Sequence, residues 1–199
     1  VLTSKELSGV VVFLRPLGLR PGKARSLPLK TVPGLATRPT TDRIKETLFN
    51  ILQPELLNCC FLDLFAGSGA IGIEALSRGA FRGVFVEKDP RAVNCILQNL
   101  QFTHLKEQAE VIKADVLQGL SCLPQEEPFD VIFMDPPYGK ELEKQVLTYL
   151  KDSSLVTPDT LLVVETDLKT DLSYAENLGF QITKTKKYKT NAHYFLCRK

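Results

Sequence analysis

The chain has 199 residues, 44% of them hydrophobic and 24% charged, the composition of one globular domain. No apolar run nears the ~20 residues that cross a bilayer, the start shows no secretory-signal pattern, and five cysteines without a C-x-x-C pair fit a reducing, cytoplasmic setting better than a disulfide framework or a zinc site. The net charge of +2 is split: residues 1–45 carry nine Lys/Arg against two Asp/Glu, residues 46–179 ten against twenty-one, and residues 180–199 six against none. Basic ends on an acidic body suggest a polyanion partner, although basic tails also serve solubility.

Residues 1–41 are punctuated by Pro and Gly, with a strand candidate only at 10–14, and read as a basic N-terminal extension. From Asp42 the pattern becomes periodic: Asp42 suits a helix cap, and Ile44, Leu48, Ile51 and Leu52 share one helical face before Pro54. Strands and helices then alternate. Residues 60–65 read as a buried strand, 70–78 as a helix stopped by Gly79, and 83–87 as a strand. Asp89-Pro90 opens a helix to about 101. Strands follow at 110–113 and 129–134, a helix at 141–150, a strand at 161–165, a helix at 171–178 stopped by Gly179, and two final strands at 180–187 and 192–197. The fold class is therefore α/β: a doubly wound, mostly parallel seven-stranded sheet whose last two strands form an antiparallel hairpin. Residues 42–199 form this domain, and its ligands belong beyond the carboxyl ends of the strands at the switch point.

Two motifs fall there. The run DLFAGSGAIG at 63–72 follows a strand and opens a helix, and Gly67 and Gly69 permit a sharp turn and close approach of a ligand. Glu87, twenty residues past Gly67, ends the next strand, where a carboxylate suits two ribose hydroxyls. Both features fit any cofactor with an adenosine half, and a dinucleotide site as well. The discriminating motif is Asp135-Pro136-Pro137-Tyr138 after the fourth strand. Two prolines stiffen the loop and remove two backbone donors. An aspartate and a neighbouring carbonyl can then hold both N–H bonds of an exocyclic amine, and Tyr138 can stack on a flat base. A hydride-transfer enzyme has no use for that arrangement. His104 and His193 stand outside both motifs and read as surface or strand histidines.

The 63–69 run resembles motif I, and Asp-Pro-Pro-Tyr motif IV, of class I S-adenosylmethionine-dependent methyltransferases. With the run RPTTDRIKETLFN at 38–50, the chain from Gly22 onward resembles the RsmD-type methyltransferases, which act on a guanine N2 of small-subunit (16S) ribosomal RNA. The resemblance implies S-adenosylmethionine as cofactor and no metal. It implies ribosomal RNA or the small-subunit particle as partner and an RNA-binding hairpin within residues 1–41, and a monomer is adequate for a chain of this size. It implies that Asp135, Pro136 and Tyr138 are catalytic. Phe65, Ala66, Gly67, Ser68 and Gly69 would bind the cofactor, with Asp63 either supporting their loop or reaching the methionine amine. Glu87 and Lys88 would take the ribose and adenine side. Asp115 and the Val116 N–H would take the adenine edge, although Asp115 also suits a helix cap. Arg38, Thr40, Arg43, Pro137 and Tyr138 would meet the substrate, Thr40, Thr41 and Arg43 being equally suited to the cofactor carboxylate. A DNA adenine methyltransferase usually inserts a recognition domain after motif IV, and only about sixty residues follow Tyr138 here. A glutamine methyltransferase usually has Asn at the position of Asp135.

Overall fold

Near-continuous apolar strands separated by helices build the sheet read above. A computed structural model describes residues 29–31 and 42–199. Helix α1 (Asp42–Leu52) leads to β1 (Cys60–Leu64), α2 (Ala70–Ser77), β2 (Arg82–Glu87), α3 (Pro90–Phe102), β3 (Ala109–Lys113) and α4 (Val116–Cys122). Then come β4 (Val131–Met134), α5 (Leu142–Leu150), β5 (Leu161–Asp167), β6 (Phe180–Lys187) and β7 (Asn191–Arg198). The strand order is β3-β2-β1-β4-β5-β7-β6, parallel from β3 to β5, with β7 antiparallel to both β5 and β6. The order reverses between β1 and β4, so a crevice opens beyond their carboxyl ends.

Alternate residues of each strand serve opposite faces. Phe61, Phe85, Phe133, Val163 and Phe195 meet Leu48, Phe49 and Leu52 of α1, Ile73 and Leu76 of α2, and Ile96 and Leu100 of α3. Leu62, Leu64, Val86, Ile132, Met134 and Val164 meet Val116 and Leu120 of α4 and Val146, Leu147 and Leu150 of α5. Both faces are thus covered, as near-continuous apolar strands require.

Strand β4 begins at Val131 and not at 129, and three further element assignments differ from the sequence reading. Helix α4 was not read: it has seven residues and an internal Gly119, a poor helix former. A Cβ at Gly119 would come within 2.5 Å of Val86, so close packing on β2 explains the glycine. The helix read at 171–178 is a 3-10 segment, Ser173–Leu178. The Asp171 carboxylate accepts from the backbone N–H and the hydroxyl of Ser173, a local bonding pattern that competes with an α-helical start. Strand β5 runs two residues past Glu165, because β7 continues to pair with it as far as Asp167. The strand read at 10–14, the hairpin within 1–41, Arg38, Thr40, Thr41 and the Asp42 cap lie outside the described residues and side chains. Among the described residues no helix is long and apolar enough to cross a membrane.

Candidate active site

The chain leaves β1 through three left-handed residues: Phe65 (φ 63°), Gly67 (φ 56°) and Gly69 (φ 78°). A bulky aromatic there is strained, and such strain is held only by well-fixed surroundings. Those surroundings are visible. The Ala66 N–H donates to the Val86 carbonyl at 3.1 Å, and the Gly69 N–H turns back to the Ala66 carbonyl at 2.7 Å. Gly72 allows α2 to lie against β2, since a Cβ there would stand 2.4 Å from the Phe85 ring.

Two carboxylates fasten this loop. Glu87 accepts from the Gly67 N–H with one oxygen and from the Lys88 and Asp89 N–H groups with the other, each at 2.8 Å. Asp63 is buried and accepts from the Gly72 N–H at 2.9 Å. Of the two roles open for Asp63, loop support is the one that the geometry favours, through the first turn of α2 rather than through the 67–69 amides. Burial pushes its carboxyl up to about 7, the Gly72 bond opposes that rise, and the charge of Glu87 adds to it. Asp115 lies where β3 ends and accepts from the Leu117 N–H at 3.3 Å, capping α4. Its cap role is real, and the residue still faces the crevice.

Asp135-Pro136-Pro137-Tyr138 follows β4 directly. Among the described residues no hydrogen bond reaches the Asp135 carboxylate, which stands half-buried in the cavity wall. Burial first, then the charges of Glu165 and Asp63, raise its carboxyl to about 8. Tyr138 is 38% exposed, at the rim.

One cavity of about 720 Å³ joins these parts. Phe65, Gly67, Glu87, Lys88, Asp115, Val116, Asp135, Pro136, Pro137 and Tyr138 line it, as the sequence suggests. Asp63, Ala66, Ser68 and Gly69 are not in its wall: Asp63 lies within β1, and the other three belong to the turn that follows it. Arg43 lies exposed on α1 and is not in the wall.

Sequence reading missed two neighbours. Glu165 lines the cavity beside Asp135. Its signal was available, being an acidic residue near the carboxyl end of a buried strand, as Glu87 is. His193, read as a surface or strand residue, is on a strand and wholly buried, with its Nε2 2.8 Å from a Glu165 oxygen. Asn99 of α3 is the second. It is buried, and it bonds both the N–H and the carbonyl of Lys30 and also the Ser68 carbonyl, tying residues 29–31 to the glycine loop.

A seven-stranded sheet with this order, and a cavity across its switch point, gives the protein the architecture of a class I methyltransferase. Ribosomal RNA small subunit methyltransferase D of Haemophilus influenzae is 43% identical over 157 residues, 78% of this chain and 80% of that protein. The solved structure of yhhF from Escherichia coli, described as a methyltransferase, is 31% identical with a TM-score of 0.76, covering 94% of this chain and 98% of that one. An RNA methyltransferase from Salinibacter ruber, in complex with S-adenosyl-L-homocysteine, shares the fold at 18% identity and a TM-score of 0.59, covering 79% and 91%. The model of the Conserved hypothetical protein 95 family matches residues 19–197, and the chain belongs to that family.

Proposed function

We propose that this enzyme, an S-adenosylmethionine-dependent RNA methyltransferase, transfers the methyl group to the exocyclic N2 amine of a guanine in small-subunit ribosomal RNA. The observation that carries this reading is the placing of Asp135 in the same cavity as Glu87: an acceptor with no hydrogen-bond partner among the described residues faces a rim suited to an adenosine half. The cavity fits that cofactor. Glu87 retains about one acceptor position for a ribose hydroxyl after its three backbone bonds, since a carboxylate offers about four acceptor sites. Phe65, Val86 and Val116 give apolar walls for a flat base, and Asp115 with the Val116 N–H matches the adenine edge. S-adenosylmethionine supplies an electrophilic methyl on a cationic sulfur.

The chain's own residues do the rest. Asp135 and the Pro136 carbonyl accept the two amine N–H bonds. That turns the nitrogen lone pair out of conjugation with the ring and toward the electrophile. Alignment of this kind carries up to ~7–11 kcal/mol of a barrier. The Asp135 carboxylate also stabilises the positive charge that develops on nitrogen. Tyr138 and Pro137 at the rim flank a base drawn out of its stack. Proton loss to water completes the transfer.

Arg38, Thr40, Arg43 and the basic residues within 1–41 are proposed to meet RNA phosphate. Residues 42–199 hold the chemistry. Action as a monomer is part of the same proposal. The test is transfer of tritiated methyl to small-subunit RNA and to the assembled particle, followed by nucleoside analysis. N2-methylguanosine is the expected product. Label on adenine, or none on either substrate, would refute the reading. RNA affinity should also fall steeply with added salt, and a flat response would remove the phosphate contacts from the account.

A further inference from the structure

The strand register places a row of polar side chains across the substrate side of the cavity. Met134 of β4 pairs with Val164 of β5, so the next residues, Asp135 and Glu165, lie side by side on neighbouring strands. Neighbouring strands are about 4.8 Å apart. Glu165 in turn is the register partner of His193 on β7. Both acids line the same cavity.

Glu165 is only 4% exposed, and its carboxylate is held from behind on both oxygens. His193 Nε2 meets one oxygen at 2.8 Å, and Asn191 Nδ2 donates to the other. A carboxylate only accepts, so the imidazole carries its proton on Nε2, leaving Nδ1 to face the Tyr188 hydroxyl at 3.4 Å. The Phe133 ring packs edge-on against the imidazole, with centroids 6.3 Å apart, and fixes its plane. A carboxylate oxygen has two acceptor positions. Each Glu165 oxygen therefore keeps one for a ligand. The result is two acceptors at neighbouring positions in one pocket, one of them, Glu165, braced by two side chains and the other, Asp135, unbraced among the described residues.

Two adjacent acceptors match two adjacent donors. The guanine edge offers N1–H beside the N2 amine, whereas adenine offers a bare N1 acceptor beside its amine. Bases drawn into a pocket are read along this edge. We propose that Glu165, braced by His193 and Asn191, is the base-specificity residue: it accepts the guanine N1–H while Asp135 accepts from the adjacent amine. The inference rests on the guanine reading above and deepens it. A bare ring nitrogen set against the Glu165 carboxylate leaves two acceptors facing one another, which rejects the wrong base.

The experiment replaces the mapped target guanine by 2-aminopurine, which keeps the 2-amine and lacks the N1 hydrogen. kcat/KM is compared for the two RNAs with wild-type enzyme and with Glu165→Gln, whose side-chain amide can donate to a bare N1. Wild type should prefer guanine by about 10³-fold or more. Glu165→Gln should lower the guanine rate and narrow the preference at least ten-fold. His193→Gln, which keeps the carboxylate and loosens its brace, should narrow the preference in the same direction and serves if the first variant fails to fold. S-adenosylhomocysteine binding and thermal melting report the fold of each. Equal loss on both RNAs, with the preference unchanged, assigns Glu165 a structural role only and overturns the proposal. So does a wild-type enzyme that accepts both bases alike. If wild type forms no N2-methylguanosine at all, the guanine reading itself falls and this inference falls with it.

Discussion

The two sides of the cavity use carboxylates in opposite ways. On the β1–β2 side, Glu87 in the wall takes three backbone N–H groups, and Asp63 behind it takes one. These acids are spent largely on holding a strained loop in shape. On the β4–β5 rim, Asp135 has no described hydrogen-bond partner, and its carboxyl is pushed up by burial and by Glu165. A half-buried carboxylate without a protein partner gives up part of its hydration in the empty protein, and its place in the cavity wall speaks for a ligand that supplies a donor. One rim is preorganised, and on the other Asp135 is left unsatisfied until substrate arrives.

The sharpest way to break this comparison is Asp135→Ala. Turnover should fall about 10²–10³-fold or more, the scale of losing a fixed electrostatic partner. S-adenosylhomocysteine affinity should stay within about two-fold. Retained turnover would remove the amine-holding role. Glu87→Ala should act in the reverse sense: it strands the Gly67, Lys88 and Asp89 amides, so product affinity should fall roughly 10–100-fold. Calorimetry reads it, and an unchanged affinity would dissolve the contrast between the rims.

A pH series sharpens the same contrast. Both Asp63 and Asp135 have folded-state values above the ordinary 3.8, at about 7 and about 8. The folded chain therefore holds protons that the unfolded chain has released. The stability from these groups is full below about pH 4 and is lost as pH rises through 7–8. Melting temperature of the ligand-free protein should fall between pH 5 and pH 8.5, and Asp135→Asn should raise it at pH 8.5 by roughly 3–8 °C. Turnover runs the other way, because the amine needs an ionised acceptor: kcat/KM should climb through about pH 8. A variant that melts like wild type at every pH would contradict the unsatisfied rim. The smallest expected effect belongs to Gly72→Ala, where the added methyl meets the Phe85 ring and should cost about 1–3 kcal/mol. Thermal melting measures that cost, and a neutral result would mean that α2 can lift from β2.

Much of this was legible in the sequence for a physical reason. Apolar strands buried on both faces announce a parallel sheet, and glycines or prolines at strand exits mark loops where backbone shape is forced. Asp63, Glu87 and Asp135 each sit at such an exit. Glu165 and His193 were harder to see because their partnership crosses strands that are far apart in sequence and antiparallel in space. No local pattern encodes which acid will face which histidine. Helix α4 was hidden by Gly119, whose role lies in packing on β2 and not in its own segment. Asn99 reads as an ordinary helix residue until Lys30 and the Ser68 carbonyl are placed beside it.

The most direct test of the two-rim account is a structure of the protein with S-adenosylhomocysteine bound. The account predicts the ribose hydroxyls on Glu87, with the sulfur directed toward Asp135 and Tyr138, whose side of the cavity stays open. An adenosine half seated against Asp135 and Glu165, with the sulfur turned away from them, would contradict it.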